Sequence, residues 1–153
     1  MAGALRKLLA LSFAELVLLT EAAVALPLTR AALARRGYHA TVRALDRLAG
    51  AAPAPALRGD EAARAAATAR LVYAAGARFP FRANCLPKAL VLRTLLRRQG
   101  IAPELRIGVR IVAGRLEGHA WVEHAGVPLS QLPDVAERFK PFPGDLAAVG
   151  EWV

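Results

Sequence analysis

Cysteine and lysine are scarce in this chain, which has one cysteine and three lysines against 18 arginines in 153 residues. A single cysteine excludes an intramolecular disulfide and a cysteine-based metal site, and it fits a reducing compartment. Charged residues make up only 22% of the chain, whereas hydrophobic residues make up 56%. This composition excludes a disordered tail protein, and the length suits one domain with a small helical appendage.

Acidic residues are also few, with 12 against 21 basic ones and a formal net charge of +9 at pH 7. A basic surplus of this size attracts nucleic acid, acidic peptides or a membrane surface. The arginines, however, are scattered along the chain and do not cluster in one segment. Scattered arginine in an alanine-rich chain is typical of a coding bias, so we expect no nucleic-acid partner.

The most apolar stretch, residues 8–28, must be tested as a membrane span or a signal peptide. Glu15 and Glu21 lie inside it, and each costs about 2.5–3.5 kcal/mol or less at a bilayer centre, depending on depth. Pro27 then interrupts the run. We therefore expect an amphipathic helix, with neither a transmembrane span nor a signal peptide.

Short helical segments are predicted to follow this stretch and to end at Gly37 and Gly50, since glycine is a common helix terminator. Residues 51–56 alternate between alanine and proline, which predicts an extended linker. We place the domain boundary there. Residues 1–56 are expected to form an N-terminal helical region with its linker, and residues 57–153 to form the core.

The lone cysteine lies at the predicted start of a helix. A preceding helix is expected over residues 61–75, ended by Gly76. Asn84 is a favourable N-cap and a proline follows three residues later, so Cys85 begins a helix that runs to Gln99. The free N–H groups and the dipole of a helix N-terminus stabilise a thiolate, which lowers the pKa of cysteine from its usual ~8.5. The same N–H groups can serve as oxyanion donors.

Alternation of apolar and polar residues predicts two antiparallel strands, residues 104–111 and 116–123. A second hairpin, centred on Ala125, then places His119 directly opposite Gln131. Directly paired residues have Cβ atoms ~4.5–5.5 Å apart on the same face of the sheet. Gln131 is therefore expected to orient the imidazole of His119, as asparagine does in papain-like sites.

Four stretches point together to a known family. Cys85 at a helix start is followed by Leu-Arg-Arg-Gln-Gly-Ile at residues 96–101, by Leu-Arg-Ile-Gly-Val-Arg at 105–110 and by Gly-His-Ala-Trp-Val-Glu at 118–123. In combination they resemble the transglutaminase-like leader peptidases of lasso peptide biosynthesis. The similarity is to the standalone form, whose leader-recognition domain is a separate protein, and it covers essentially the whole chain.

The resemblance implies roles for individual residues. Cys85 is expected to be the nucleophile and His119 its base, with Asn84 and Trp121 as substrate-binding neighbours. The family pattern often has aspartate as a third member twelve residues after the histidine, where this chain has glutamine.

Three interpretations of that third position stay open. The triad is of the Cys-His-Gln type with Gln131, or Asp134 folds back to take the place, or the third member is dispensable.

The resemblance also implies fold and activity. We expect an α+β fold, with an N-terminal helical region followed by a papain/transglutaminase-like core whose cysteine-bearing helix packs on an antiparallel sheet. The implied function is a cysteine peptidase that cleaves the leader from a ribosomally made lasso precursor before macrolactam cyclisation. No cofactor and no metal are expected.

Two other function classes use the same features. One is acyl transfer to an amine, as in true transglutaminases, and the other is a noncatalytic scaffold that holds precursor and cyclase together. Expected partners are the precursor's leader, a separate leader-recognition protein and the ATP-dependent lasso cyclase. The expected location is the cytoplasm, with peripheral membrane association left open.

Overall fold

The computed structural model describes residues 11–50, 60–78 and 84–141 of the chain. Three helices come first, and an antiparallel sheet with one short helix follows them. The helices are α1 (Phe13–Ala49), α2 (Glu61–Arg78), α3 (Cys85–Arg98) and α4 (Val135–Arg138). The strands are β1 (Glu104–Val112), β2 (Arg115–His124), β3 (Val127–Pro128) and β4 (Lys140–Pro141), in the spatial order β3-β2-β1-β4. The predicted α+β class is confirmed.

The first helix begins with a capping box. The Ser12 hydroxyl accepts from the Glu15 N–H (3.3 Å), and the Glu15 carboxylate accepts from the Ser12 N–H (2.9 Å). Pro27 lies inside α1, so the predicted interruption there is wrong. A proline in a helix interior costs about 3 kcal/mol, whereas the adjacent Leu26 is buried in the apolar core. The backbone leaves helical geometry at Gly37 instead (φ 72°, ψ 178°), where the sequence predicted a helix end.

An apolar core joins the helices to the sheet. Its largest part is buried between α1, α2, α3 and β2 and includes Ala22, Leu26, Ala69, Val72, Ala89, Leu92, Leu96, Ala120, Val122 and Leu129. Because α1 supplies the first two of these residues, the N-terminal helical region packs directly on the rest of the chain. The linker at residues 51–56 lies outside the described residues, and the domain boundary placed there stays a prediction.

By length and composition α1 is able to cross a membrane, because its most apolar 18-residue window has a mean hydropathy of 1.6. Only 17% of that window is buried. Core helices of soluble proteins and signal sequences pass the same test, so the expected lack of a membrane span stays a prediction. Residues 8–10 of the apolar stretch lie outside the described residues.

The second helix does not stop at Gly76, and the prediction of a helix end there is wrong. It continues to Arg78, with Gly76 buried inside it. A Cβ at Gly76 would lie 2.7 Å from Cε of Lys88. The absence of a side chain therefore leaves room for the Lys88 stem, whose ammonium nitrogen lies 5.6 Å from the ring centroid of Tyr73.

The hairpin between β2 and β3 has a different register from the one predicted. Its turn consists of two residues, Ala125 and Gly126, both with left-handed φ (50° and 76°). His124 consequently pairs with Val127, and a hairpin centred on Ala125 is wrong. Two-residue turns of this conformation match the right-handed twist of the flanking strands, and they are therefore the commonest connections in tight hairpins.

Candidate active site

Cys85 is the first residue of α3, as predicted, and its side chain is half-buried. Asn84 occupies the N-cap position with extended backbone (φ −61°, ψ 168°), but its exposed side chain makes no capping hydrogen bond. Beyond the first turn α3 is held by buried residues along its length, among them Ala89, Leu92 and Leu96. The thiol is therefore held on a rigid helix, next to the Asn84 side chain, whose amide does not cap that helix.

Within the described residues, the edge of β2 beside Cys85 has no neighbouring strand. The last contact of β3 with β2 is the Leu129 N–H, which donates to the Val122 carbonyl at 2.9 Å. Ser130 then adopts a left-handed φ of 52° and turns the chain away. Alternate residues of an antiparallel strand direct their N–H groups to the same side. Ala120, two residues before Val122, therefore presents its N–H at this free edge.

Opposing effects set the pKa of the Cys85 thiol. Burial alone would raise it, but hydrogen bonding with the His119 side chain and with the N–H groups of Ala120 and Leu86 holds it below its usual range. The charge of His119 acts in the same direction. Because the thiolate is the reactive form of cysteine, this arrangement favours nucleophilic chemistry at neutral pH.

The His119 ring is held by a chain of side-chain hydrogen bonds. Its Nε2 lies 3.0 Å from Oε1 of Gln131, and Nε2 of Gln131 donates to the Tyr73 hydroxyl at 2.6 Å. A carbonyl oxygen only accepts, so Nε2 of His119 carries the proton in this bond. The other ring nitrogen, Nδ1, is therefore the one available for the hydrogen bond with Cys85. This is the tautomer that a general base for the thiol requires.

The same contacts shift the titration of the imidazole. The hydrogen bond with Cys85 raises the pKa of His119, and the one with Gln131 raises it further. Burial and the positive charge of Arg110 oppose this rise without cancelling it. His119 therefore retains its proton to higher pH than an ordinary imidazole, which suits a group that must later donate that proton.

Aromatic rings fix the plane of the imidazole. Trp121 stacks on His119 at a centroid distance of 5.9 Å, and Phe139 packs against it at 4.9 Å. The Trp121 side chain is 0% exposed, and its indole N–H donates to Glu123 at 2.8 Å. A fully buried ring offers a substrate no surface, so its burial favours support of His119 over the predicted substrate-binding role.

A glycine makes the Phe139 contact possible. Gly108 pairs with His119 across β1 and β2, and a Cβ at Gly108 would lie 3.0 Å from both the Lys140 carbonyl oxygen and the Phe139 Cβ. The missing side chain allows β4 to approach β1 closely. Phe139 reaches the imidazole as a result.

Of the two candidates for third member, the structure brings Gln131 to His119 and leaves Asp134 apart. Asp134 is exposed at the N-cap of α4, and none of the described His119 contacts involves it. The expected contact with Gln131 is present, although the register from which it was deduced is wrong. Continued regularly, the observed pairing would place residue 132 opposite His119. The left-handed Ser130 breaks this regularity, and Gln131 lies at the ring instead.

Tyr73 is the residue of this network that the sequence reasoning missed. It lies on α2, between the buried Val72 and Ala75, and 58 positions before its partner Gln131. Burial raises the pKa of Tyr73, the hydrogen bond with Gln131 lowers it, and the nearby Cys85 raises it. The hydroxyl is therefore neutral at physiological pH. A signal was present in the sequence, because a tyrosine that lies among apolar positions of a helix usually needs a partner for its hydroxyl.

Across residues 11–50, 60–78 and 84–141, no group of three or more His, Cys, Asp or Glu side chains is arranged to hold a metal ion. Comparison with known proteins identifies the family. The family model of the transglutaminase-like superfamily matches residues 16–143. No curated protein and no solved structure gives a match. The family match covers most of the chain, which therefore belongs to the transglutaminase-like superfamily.

Proposed function

We propose that this transglutaminase-like chain is a cysteine peptidase that removes the leader from a ribosomally made lasso peptide precursor before macrolactam cyclisation. The observation that carries the peptidase is the hydrogen-bonded set of Cys85, His119 and Gln131, with the thiol at a helix N-terminus. Domains of this superfamily are commonly cysteine proteases or acyltransferases. The lasso precursor as substrate rests on the resemblance of the stretches around Cys85 and His119 to those leader peptidases.

In the first half of the reaction, Nδ1 of His119 takes the thiol proton and the Cys85 sulfur attacks the scissile carbonyl carbon. The carbonyl electron pair moves onto oxygen, where the N–H groups of the first turn of α3 hold it. Asn84, the exposed N-cap residue directly before Cys85, is the proposed second donor. The C–N bond then breaks, and His119 gives its proton to the leaving amine. A thioester of the leader on Cys85 remains.

In the second half, His119 removes a proton from water, whose oxygen attacks the thioester. The C–S bond breaks, the leader leaves with a free carboxylate, and Cys85 is regenerated. The released core peptide has a free amine, and an ATP-dependent cyclase would join that amine to an acidic side chain. The Gln131 carbonyl keeps Nε2–H in place through both halves, so that Nδ1 is the nitrogen that exchanges protons.

The test is intact-mass spectrometry of a lasso precursor peptide incubated with this chain and the leader-recognition protein in the presence of putrescine. The peptidase predicts a leader fragment that ends in a carboxylate. Acyl transfer would instead give a leader that ends in a putrescine amide. Product formation by a Cys85→Ala variant would support the scaffold.

Partners and location are part of the proposal. We propose that the leader-recognition protein and the cyclase bind this chain in the cytoplasm. Support comes from α1, where Phe13, Val24 and Leu28 are each more than half exposed, since exposed apolar surface marks interaction sites. Co-purification of these partners should weaken in Val24→Ser and Leu28→Ser but not in the control Ile111→Ser, whose side chain is also more than half exposed but lies on β1. Sedimentation with membranes after a high-salt wash would instead indicate an anchor.

A further inference from the structure

We propose that Tyr73 is a positioning residue, which anchors the Gln131 amide so that its oxygen stays on the His119 imidazole. The inference rests on the proposed Cys85–His119 chemistry and adds a residue from α2 to it. Nothing in the family match or in the sequence motifs assigns Tyr73 a role.

The Gln131 side chain needs an anchor because the backbone of this residue is not held by a neighbouring strand. Gln131 follows the left-handed Ser130, beyond the last β3 contact at Leu129, and so has no strand partner on β2. Glutamine is also among the side chains with the most rotamer freedom to lose. The imidazole contact alone would leave the amide NH2 without an acceptor at a half-buried position.

The Tyr73 hydroxyl supplies that acceptor, at 2.6 Å from Nε2 of Gln131. Because the amide nitrogen donates to Tyr73, the amide oxygen faces His119 and lies 3.0 Å from its Nε2. This orientation is the one that stabilises a protonated Nε2 and leaves Nδ1 for the thiol.

The tyrosine ring is itself held in place. The Lys88 ammonium lies 5.6 Å from its centroid, and the lysine stem passes Gly76, where a Cβ would lie 2.7 Å from Cε. Lys88 is on α3, three residues after Cys85. The contacts therefore run from α3 to the Tyr73 ring on α2, through Gln131 to His119 on β2, and back to Cys85.

The test uses the chemistry of the thiol and needs no peptide substrate. Cys85 is the only cysteine of the chain, so alkylation by iodoacetamide reports on it alone. Tyr73→Phe removes only the hydroxyl and should slow alkylation at pH 7 about 2- to 10-fold, the effect of losing one neutral hydrogen bond. The rate–pH profile should shift towards that of Gln131→Ala. Tyr38→Phe, which alters the other tyrosine of the chain, is the matched control and should leave the profile unchanged.

The double variant separates a positioning role from a structural one. In a Gln131→Ala background, Tyr73→Phe should cause no further change in the alkylation profile, because the side chain it anchors is gone. The proposal is overturned if Tyr73→Phe alkylates like the wild type, or if its effect multiplies with that of Gln131→Ala. A lower melting temperature with an unchanged profile would also overturn it, since the tyrosine would then be structural only. Absence of precursor cleavage would contradict the proposed peptidase without affecting this result.

Discussion

Removal of the His119 imidazole should raise the pKa of the Cys85 thiol. Burial acts to raise the pKa of this thiol, and the hydrogen bond with His119 is the strongest of the effects that lower it. In His119→Ala the burial persists, while the imidazole's hydrogen bond and its charge are lost. The N–H groups of Ala120 and Leu86 remain, and each acts less strongly than the imidazole. We therefore expect the thiol pKa to rise in the variant.

The size of the effect follows from the thiolate fraction. A free thiol of pKa ~8.5 is about 3% thiolate at pH 7. The wild type should exceed that fraction, because its pKa lies below the usual range. The thiolate is lost only when the pH falls below the thiol pKa. The wild-type alkylation rate should therefore fall with a midpoint at lower pH than that of a free thiol. The midpoint of His119→Ala should lie at higher pH.

The assay is the rate of iodoacetamide labelling at Cys85 between pH 5 and 10, followed by mass spectrometry. His124→Ala is the matched control, because this histidine is also on β2 but its Nδ1 lies 3.1 Å from the carbonyl oxygen of Ala102, away from the thiol. It should keep the wild-type midpoint. A wild-type midpoint at or above that of free cysteine, or an unchanged midpoint in His119→Ala, would refute the reasoning about this pair.

Three further substitutions test the surroundings of the pair. Gln131→Ala removes the acceptor of a charge-assisted hydrogen bond and should lower the rate of precursor cleavage about 10- to 100-fold. The control Asp134→Asn should leave that rate within about 2-fold of the wild type, and the opposite result would make Asp134 the third member. Gly108→Ala should lower the free energy of unfolding by about 1–3 kcal/mol, because its Cβ would crowd Phe139; urea unfolding that matches the wild type would contradict this packing. Asn84→Ala should reduce kcat more than it raises KM, as expected for an oxyanion donor, whereas a change in KM alone would assign Asn84 to substrate binding.

The parts of the site that could be predicted from the sequence depend on short-range patterns. Asn84 and a nearby proline place Cys85 at a helix start, because N-caps and first-turn prolines act within a few residues. The alternation in β1 and β2 likewise predicts which side chains share a face with His119. These features were confirmed because neighbouring residues alone determine them.

The remaining features depend on contacts between residues far apart in the sequence. Pro27 and Gly76 are usual helix breakers, yet both lie inside helices. Leu26, beside Pro27, is buried in the apolar core, and Lys88 of α3 occupies the space beside Gly76. The hydrogen bond between Tyr73 and Gln131 joins residues 58 positions apart, which no local pattern predicts. The His119–Gln131 contact was expected from a wrong register. Gln131 contacts the ring from beyond the left-handed Ser130, where the regular pairing with β2 has ended.

The central claim is that Cys85 cleaves a peptide bond with His119 as its base. The most direct measurement is the intact mass of the precursor after incubation with the leader-recognition protein and either the wild-type chain or Cys85→Ala, each with its circular dichroism recorded. The account predicts a leader with a free carboxylate and a core with a free amine from the wild type, and only intact precursor from the variant. Cleavage by a natively folded Cys85→Ala variant would contradict it.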